Sequence, residues 1–98
     1  MPLDVIQEKS LTEVIDYALE YPSMVLAATK SGNILSTALV DFSYGLYIGY
    51  ISGVFFDKFL SENKRFLNDE EMTDFYAKVA SRNPEIMLKI KAHLKVKQ

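Results

Sequence analysis

The ionisable inventory of this chain is small. His93 is its only histidine, and it has no cysteine. Composition therefore excludes a pair of histidine ligands, a thiolate zinc site and any disulfide. A Ser-His-Asp relay would have to use His93. No serine, however, is framed by the G-x-S-x-G elbow that exposes such a nucleophile. His93 itself lies among lysines late in the chain, the setting of a solvated helix residue. Asp41 and Asp57 are the remaining candidates for a carboxylate pair. On one straight helix they fall about 160° apart and do not face each other. Asp41 is better placed to partner a lysine or a helix amide. Gly45, Gly49 and Gly53 recur every four residues. That is not the spacing of a phosphate-binding loop, and no Lys-Ser/Thr pair follows. The residues point to no catalysis, no metal and no cofactor.

Binding chemistry has more to draw on. Tyr44, Tyr47 and Tyr50, with Lys58, Lys64 and Arg65 downstream, have the types needed to stack and neutralise single-stranded nucleic acid. At a spacing of three they more often form one edge of a core, with the hydroxyls reaching water. Lys89, Lys91, Lys95 and Lys97 could meet phosphates or an acidic partner. With no aromatic or arginine between them, they describe a solvated helix face. The glycines offer a third possibility. On a helix they form a slightly spiralling groove that admits another backbone closely. The groove serves either a helix crossing within the domain or a self-association face made by Gly45, Gly49, Gly53, Tyr47 and Tyr50.

The elements that would position these groups are mostly legible. The stretch from Ile34 to Leu60 carries charge only at Asp41, Asp57 and Lys58, and the flanking segments need it as an apolar surface. Residues 10–21 form a helix, with Ser10 and Glu13 at capping-box spacing. Leu11, Val14, Ile15, Ala18 and Leu19 make its apolar stripe, and Pro22 stops it. Residues 3–9 can add a turn, with Asp4 as its cap. Residues 23–42 admit two readings. One is a short helix over 23–30, stopped near Gly32, with Asn33 capping the next helix. The other is a hairpin over about 24–41, turning at Lys30-Ser31-Gly32-Asn33. No third strand is present to complete a sheet, so helix is preferred. Residues 43–66 continue as helix.

Residues 68–82 are helical, capped by Asn68 or Asp69, with Met72, Phe75, Tyr76 and Val79 facing inward. Asn83 caps a last helix over 84–96, with Pro84 at its first position. That helix buries Ile86 or Met87, Ile90 and Leu94. The expected fold is all-α: four to five helices around a central apolar helix, in one domain spanning 1–98. The alternative is α+β with the hairpin.

Composition sets the remaining bounds. An apolar fraction of 49% and a charged fraction of 24% are those of an ordinary globule. A net charge of -2 argues against a generic polyanion binder. The acidic, short-run N-terminus is not a signal peptide, which gives a cytoplasmic expectation. A membrane-spanning reading of 34–56 is disfavoured by Asp41 inside it. The expectation is a small non-enzymatic interaction protein that binds itself, as a homodimer, or another macromolecule. The alternative is a nucleic-acid binder using the lysine-rich last helix.

Overall fold

The computed structural model describes residues 2–30 and 39–94. In chain order these form α1 (Val5–Glu20), α2 (Pro22–Val25), a 3-10 turn (Ala27–Lys30), α3 (Leu39–Asn63), α4 (Asp69–Ser81) and α5 (Asn83–Leu94). Among the described residues the fold is all-α, a bundle of five helices. The hairpin is not supported, because its first arm lies in α2 and the 3-10 turn, and 39–40 of its second arm belong to α3. The rest of that arm, 34–38, lies outside the described residues, as do Gly32 and Asn33.

The first helix begins five residues earlier than its stripe suggests. Asp4, in extended conformation, accepts the Gln7 amide at 2.7 Å, and the Gln7 side chain accepts the Asp4 amide at 3.0 Å. This reciprocal box satisfies two amides that a helix start leaves open. It displaces the Ser10–Glu13 box expected from sequence, since Ser10 now lies inside the helix. The five stripe residues Leu11, Val14, Ile15, Ala18 and Leu19 are all buried. Pro22 ends α1 and opens α2 at its first position, where its missing amide costs nothing.

α3 is described from Leu39 and stops at Asn63 rather than continuing to 66. It ends where Lys64 takes the left-handed conformation, φ 57, which costs a non-glycine residue about 1 kcal/mol or more. α4 is capped by Asn68, which accepts the Glu71 amide while Glu71 accepts the Asn68 amide, both at 2.8 Å. Phe75 and Val79 are buried as expected, but Tyr76 is exposed and Glu71 is buried instead. α5 starts at Asn83, whose side-chain oxygen accepts the Tyr44 hydroxyl at 2.8 Å. Ile86 and Ile90 are its buried residues.

α3 is the central element, with α1 and α5 as its main neighbours. Its N-terminal half meets α5, as the Tyr44–Asn83 bond shows. Its C-terminal half meets α4 through aromatic rings: Phe75 lies 5.6 Å from Phe55 and 4.8 Å from Phe56, centroid to centroid. The Leu3 amide donates to Asp74 at 3.0 Å and fastens the N-terminal segment to α4. Arg82 joins three elements, donating to Asp16 of α1 at 2.8 Å and to Glu85 of α5 at 2.6 Å.

Candidate interaction surface

The side chains of α3 sort in steps of four. Ser43, Tyr47, Ile51, Phe55 and Phe59 are buried. Asp41, Gly45, Gly49, Gly53 and Asp57 are exposed. Each step of four turns about 40° past a full circle, so the core row and the exposed row wind around the helix together. That winding lets one helix pack on α5 near its start and on α4 near its end. Among the described residues it also leaves a row of the central helix exposed.

The exposed row is where the sequence placed its glycine groove, but the groove is not used within the described fold. A Cβ added at Gly45, Gly49 or Gly53 meets no atom within 4 Å. The reading of these glycines as a helix crossing inside the domain is therefore corrected: α1 and α5 approach α3 from other sides. Phe42 and Leu46 flank the row on one side, Ser52 and Phe56 on the other, all half-buried. Val54 and Leu60 are 39% and 36% exposed.

The other residues of the expected face are placed differently. Tyr47 is fully buried and belongs to the core, so it is not part of any docking face. Its hydroxyl is buried, and neither it nor the Ser43 hydroxyl one step earlier has a hydrogen-bond partner among the described residues. Burial pushes the Tyr47 phenol up to about 12. Tyr50 turns towards α1, where with Val14, Tyr17 and Val54 it lines a shallow cleft of about 370 Å³. The three tyrosines do not form the stacking row that a single-stranded nucleic-acid site would need. Tyr47 is internal, Tyr44 is tied to Asn83, and Tyr50 faces α1.

The basic face of α5 is represented by Lys89, which is exposed, and Lys91, which is half-buried. Lys95 and Lys97 lie outside the described residues. His93 is half-buried on α5, with its Nε2 atom buried and without a hydrogen-bond partner among the described residues. Asp41 and Asp57 are both exposed and form no ion pair or side-chain hydrogen bond among the described residues. The lysine or amide partner expected for Asp41 is absent from that set. Among the described residues no three histidines or carboxylates stand close enough together to hold a metal ion.

The carboxylates whose pKa values are lowered lie at helix joints. The Arg65 hydrogen bonds hold the Glu71 carboxyl below the ordinary range. The Glu85 carboxyl is lowered in the same way by Arg82. These shifts mark structural staples: each carboxylate is engaged by an arginine that bridges or caps helices. Sequence reasoning missed Glu71 as a buried group, although the Asn68-x-x-Glu71 spacing was present to be read.

α3 is long and apolar enough to cross a membrane by length and composition, and 22% of its most apolar window is buried. Its uncharged run extends only from Phe42 to Phe56. At 1.5 Å per residue those fifteen residues span about 22 Å, short of a hydrocarbon core of about 30 Å. No protein-family model, curated protein or solved structure matches the chain.

Proposed function

We propose that this chain is a small helical interaction protein without catalysis, and that it binds an α-helix through the exposed row of α3. The observation that carries this reading is the open space over Gly45, Gly49 and Gly53. Each glycine inside a helix costs about 1 kcal/mol relative to alanine. Nothing within 4 Å of these positions offsets that cost in the described fold. A local rule broken without internal compensation is characteristic of a functional surface. Removing three side chains in a row lets a second helix axis approach closely, with Phe42, Leu46, Ser52 and Phe56 as walls. Apolar side chains on the same helix, such as Val54 and Leu60, would leave water on binding.

Capture from the source cell, with nuclease present, tests the reading. Native chain is expected to retain a protein partner that the Gly49→Leu variant loses while keeping its helical circular dichroism. Equal capture by both would remove the exposed row from the account. Capture that disappears with nuclease treatment would transfer the function to the lysine-bearing face of α5.

A further inference from the structure

The cleft of about 370 Å³ between α1 and α3 has an apolar part, made by Val14, Tyr17, Tyr50 and Val54, and two charged groups, Glu13 of α1 and Lys58 of α3. Glu13 and Lys58 also line a second cavity of about 280 Å³. They therefore stand where the two cavities meet, at one end of the apolar part. We infer that this cleft is a binding site for a small zwitterion with an apolar body, an aromatic α-amino acid, whose ammonium meets Glu13 and whose carboxylate meets Lys58. The inference does not use the glycine row and goes beyond the reading of α3 as a docking face.

The apolar walls are held by the fold. Val14 is buried in the core, and Tyr50 packs against it. Tyr17 is 48% exposed, and the Tyr21 ring braces it at 4.7 Å, centroid to centroid. Aromatic and aliphatic walls with a few polar groups at one end are the make-up of a small-molecule site.

The charges select the class of ligand. Glu13 and Lys58 are both exposed, and neither forms an ion pair or a side-chain hydrogen bond among the described residues. Opposite charges that face one cleft without neutralising each other are both open to a ligand. The second cavity does not remove this choice, because its Lys9 and Glu62 add one charge of each sign. Its Asp4 is engaged by the Gln7 amide in the cap of α1. A compound with a single charge meets one attraction and one like-charge repulsion at the same end, whereas a zwitterion meets two attractions. An α-amino acid carries both charges at one end of its body, the arrangement that the cleft mirrors. Its aromatic side chain then lies among Val14, Tyr17, Tyr50 and Val54, where loss of water and ring contacts favour it.

Titration of the full chain with L-phenylalanine, followed by amide NMR, tests the inference. Saturable shifts are expected around Glu13, Tyr17, Tyr50 and Lys58. Phenylpropionate lacks the ammonium and phenethylamine lacks the carboxylate, so each is expected to bind about threefold to fivefold more weakly, the scale of one exposed charge pair lost. Glycine, which has the charges and no body, is expected to give no saturable shift. Glu13→Gln is expected to abolish the advantage of phenylalanine over phenylpropionate, and Lys58→Met its advantage over phenethylamine. Equal affinity for the three aromatic compounds, or an advantage that survives its substitution, overturns the zwitterion assignment. Glycine binding as tightly as phenylalanine overturns the part given to the apolar walls. No saturable shift with any compound, or shifts centred on Gly45, Gly49 and Gly53, overturns the site. None of these outcomes bears on Gly49-dependent capture, so the docking reading stands or falls separately.

Discussion

Arg65 donates from its two terminal nitrogens to the two carboxylate oxygens of Glu71, at 2.8 and 3.0 Å. The same carboxylate accepts the Asn68 amide at 2.8 Å and so completes the cap of α4. The Arg65 guanidinium also lies 5.2 Å from the centre of the Phe59 ring. One buried acid thus joins the end of α3, the turn after it and the start of α4.

This joint gives the protein an acid-sensitive element. The hydrogen bonds from Arg65 are the main cause of the lowered Glu71 pKa. The folded value is depressed, so the contribution to stability is complete above the ordinary carboxylate value of 4.5. It is lost as pH falls below that value and through the depressed folded pKa. Glu71→Gln is expected to cost about 1–3 kcal/mol at neutral pH, because it removes a charged acceptor from a buried network. Urea denaturation of both proteins, at neutral pH and in acid, checks it. The difference between them should shrink in acid; a constant difference would mean that the charge of Glu71 is not the contributor.

Tyr47 gives the opposite pH dependence. Its phenol is raised from 10.0 to about 12 by desolvation, so the folded state keeps the proton that the unfolded chain releases. Stability is then unaffected below about pH 10 and falls as pH climbs towards the folded value. Tyr47→Phe removes a buried hydroxyl that has no partner among the described residues. It is expected to raise stability by about 1 kcal/mol and to remove this share of the alkaline loss. Thermal melts across that pH range measure both effects. A destabilised phenylalanine variant would show that the hydroxyl is satisfied in solution.

These two residues also show what the sequence discloses and what it withholds. The apolar stripe of α1 is legible because five residues share one face with a helical period. The start of α1 is not, because both Asp4–Gln7 and Ser10–Glu13 have capping geometry. The choice depends on where Leu3 is held, and Leu3 is buried with its amide on Asp74 of α4. Glu71 looked like an exposed first-turn acid until Arg65, six residues earlier, was brought over it. Within α3 the pattern of Asp41, Gly45, Gly49, Gly53 and Asp57 was visible throughout. A stretch apolar on nearly every side hides which row is the core. Only the packing of Phe55 and Phe56 on Phe75, with Tyr44 on Asn83, assigns the row of Tyr47 inward and that of Gly49 outward.

The short uncharged run of α3 yields a further expectation. A helix of about 20 residues centred on the run from Phe42 to Phe56 takes Asp41 and Asp57 into the hydrocarbon, where a carboxylate without a partner is costly. The purified chain is expected to stay in the supernatant when neutral lipid vesicles are pelleted. Stable pelleting that resists high salt would mean that α3 leaves its packing on α1 and α5 to enter the bilayer.

The glycines of α3 allow fold and docking to be separated by a single set of substitutions. With nothing within 4 Å of a Cβ at any of the three positions, alanine has room in the isolated chain. Replacing glycine by alanine inside a helix favours the folded state by about 1 kcal/mol per site. It does so partly by restricting the unfolded chain. Gly45→Ala, Gly49→Ala and Gly53→Ala are therefore each expected to raise the urea midpoint, and the triple variant by about 2–3 kcal/mol in total. In the complex the same methyl groups stand where a second axis must approach, so each gain in stability should accompany a loss of the captured partner. The two measurements are made on the same three proteins. Variants that are destabilised would place an atom over the glycines in the isolated chain. Variants that are stabilised and bind unchanged would mean that the partner does not approach along this row.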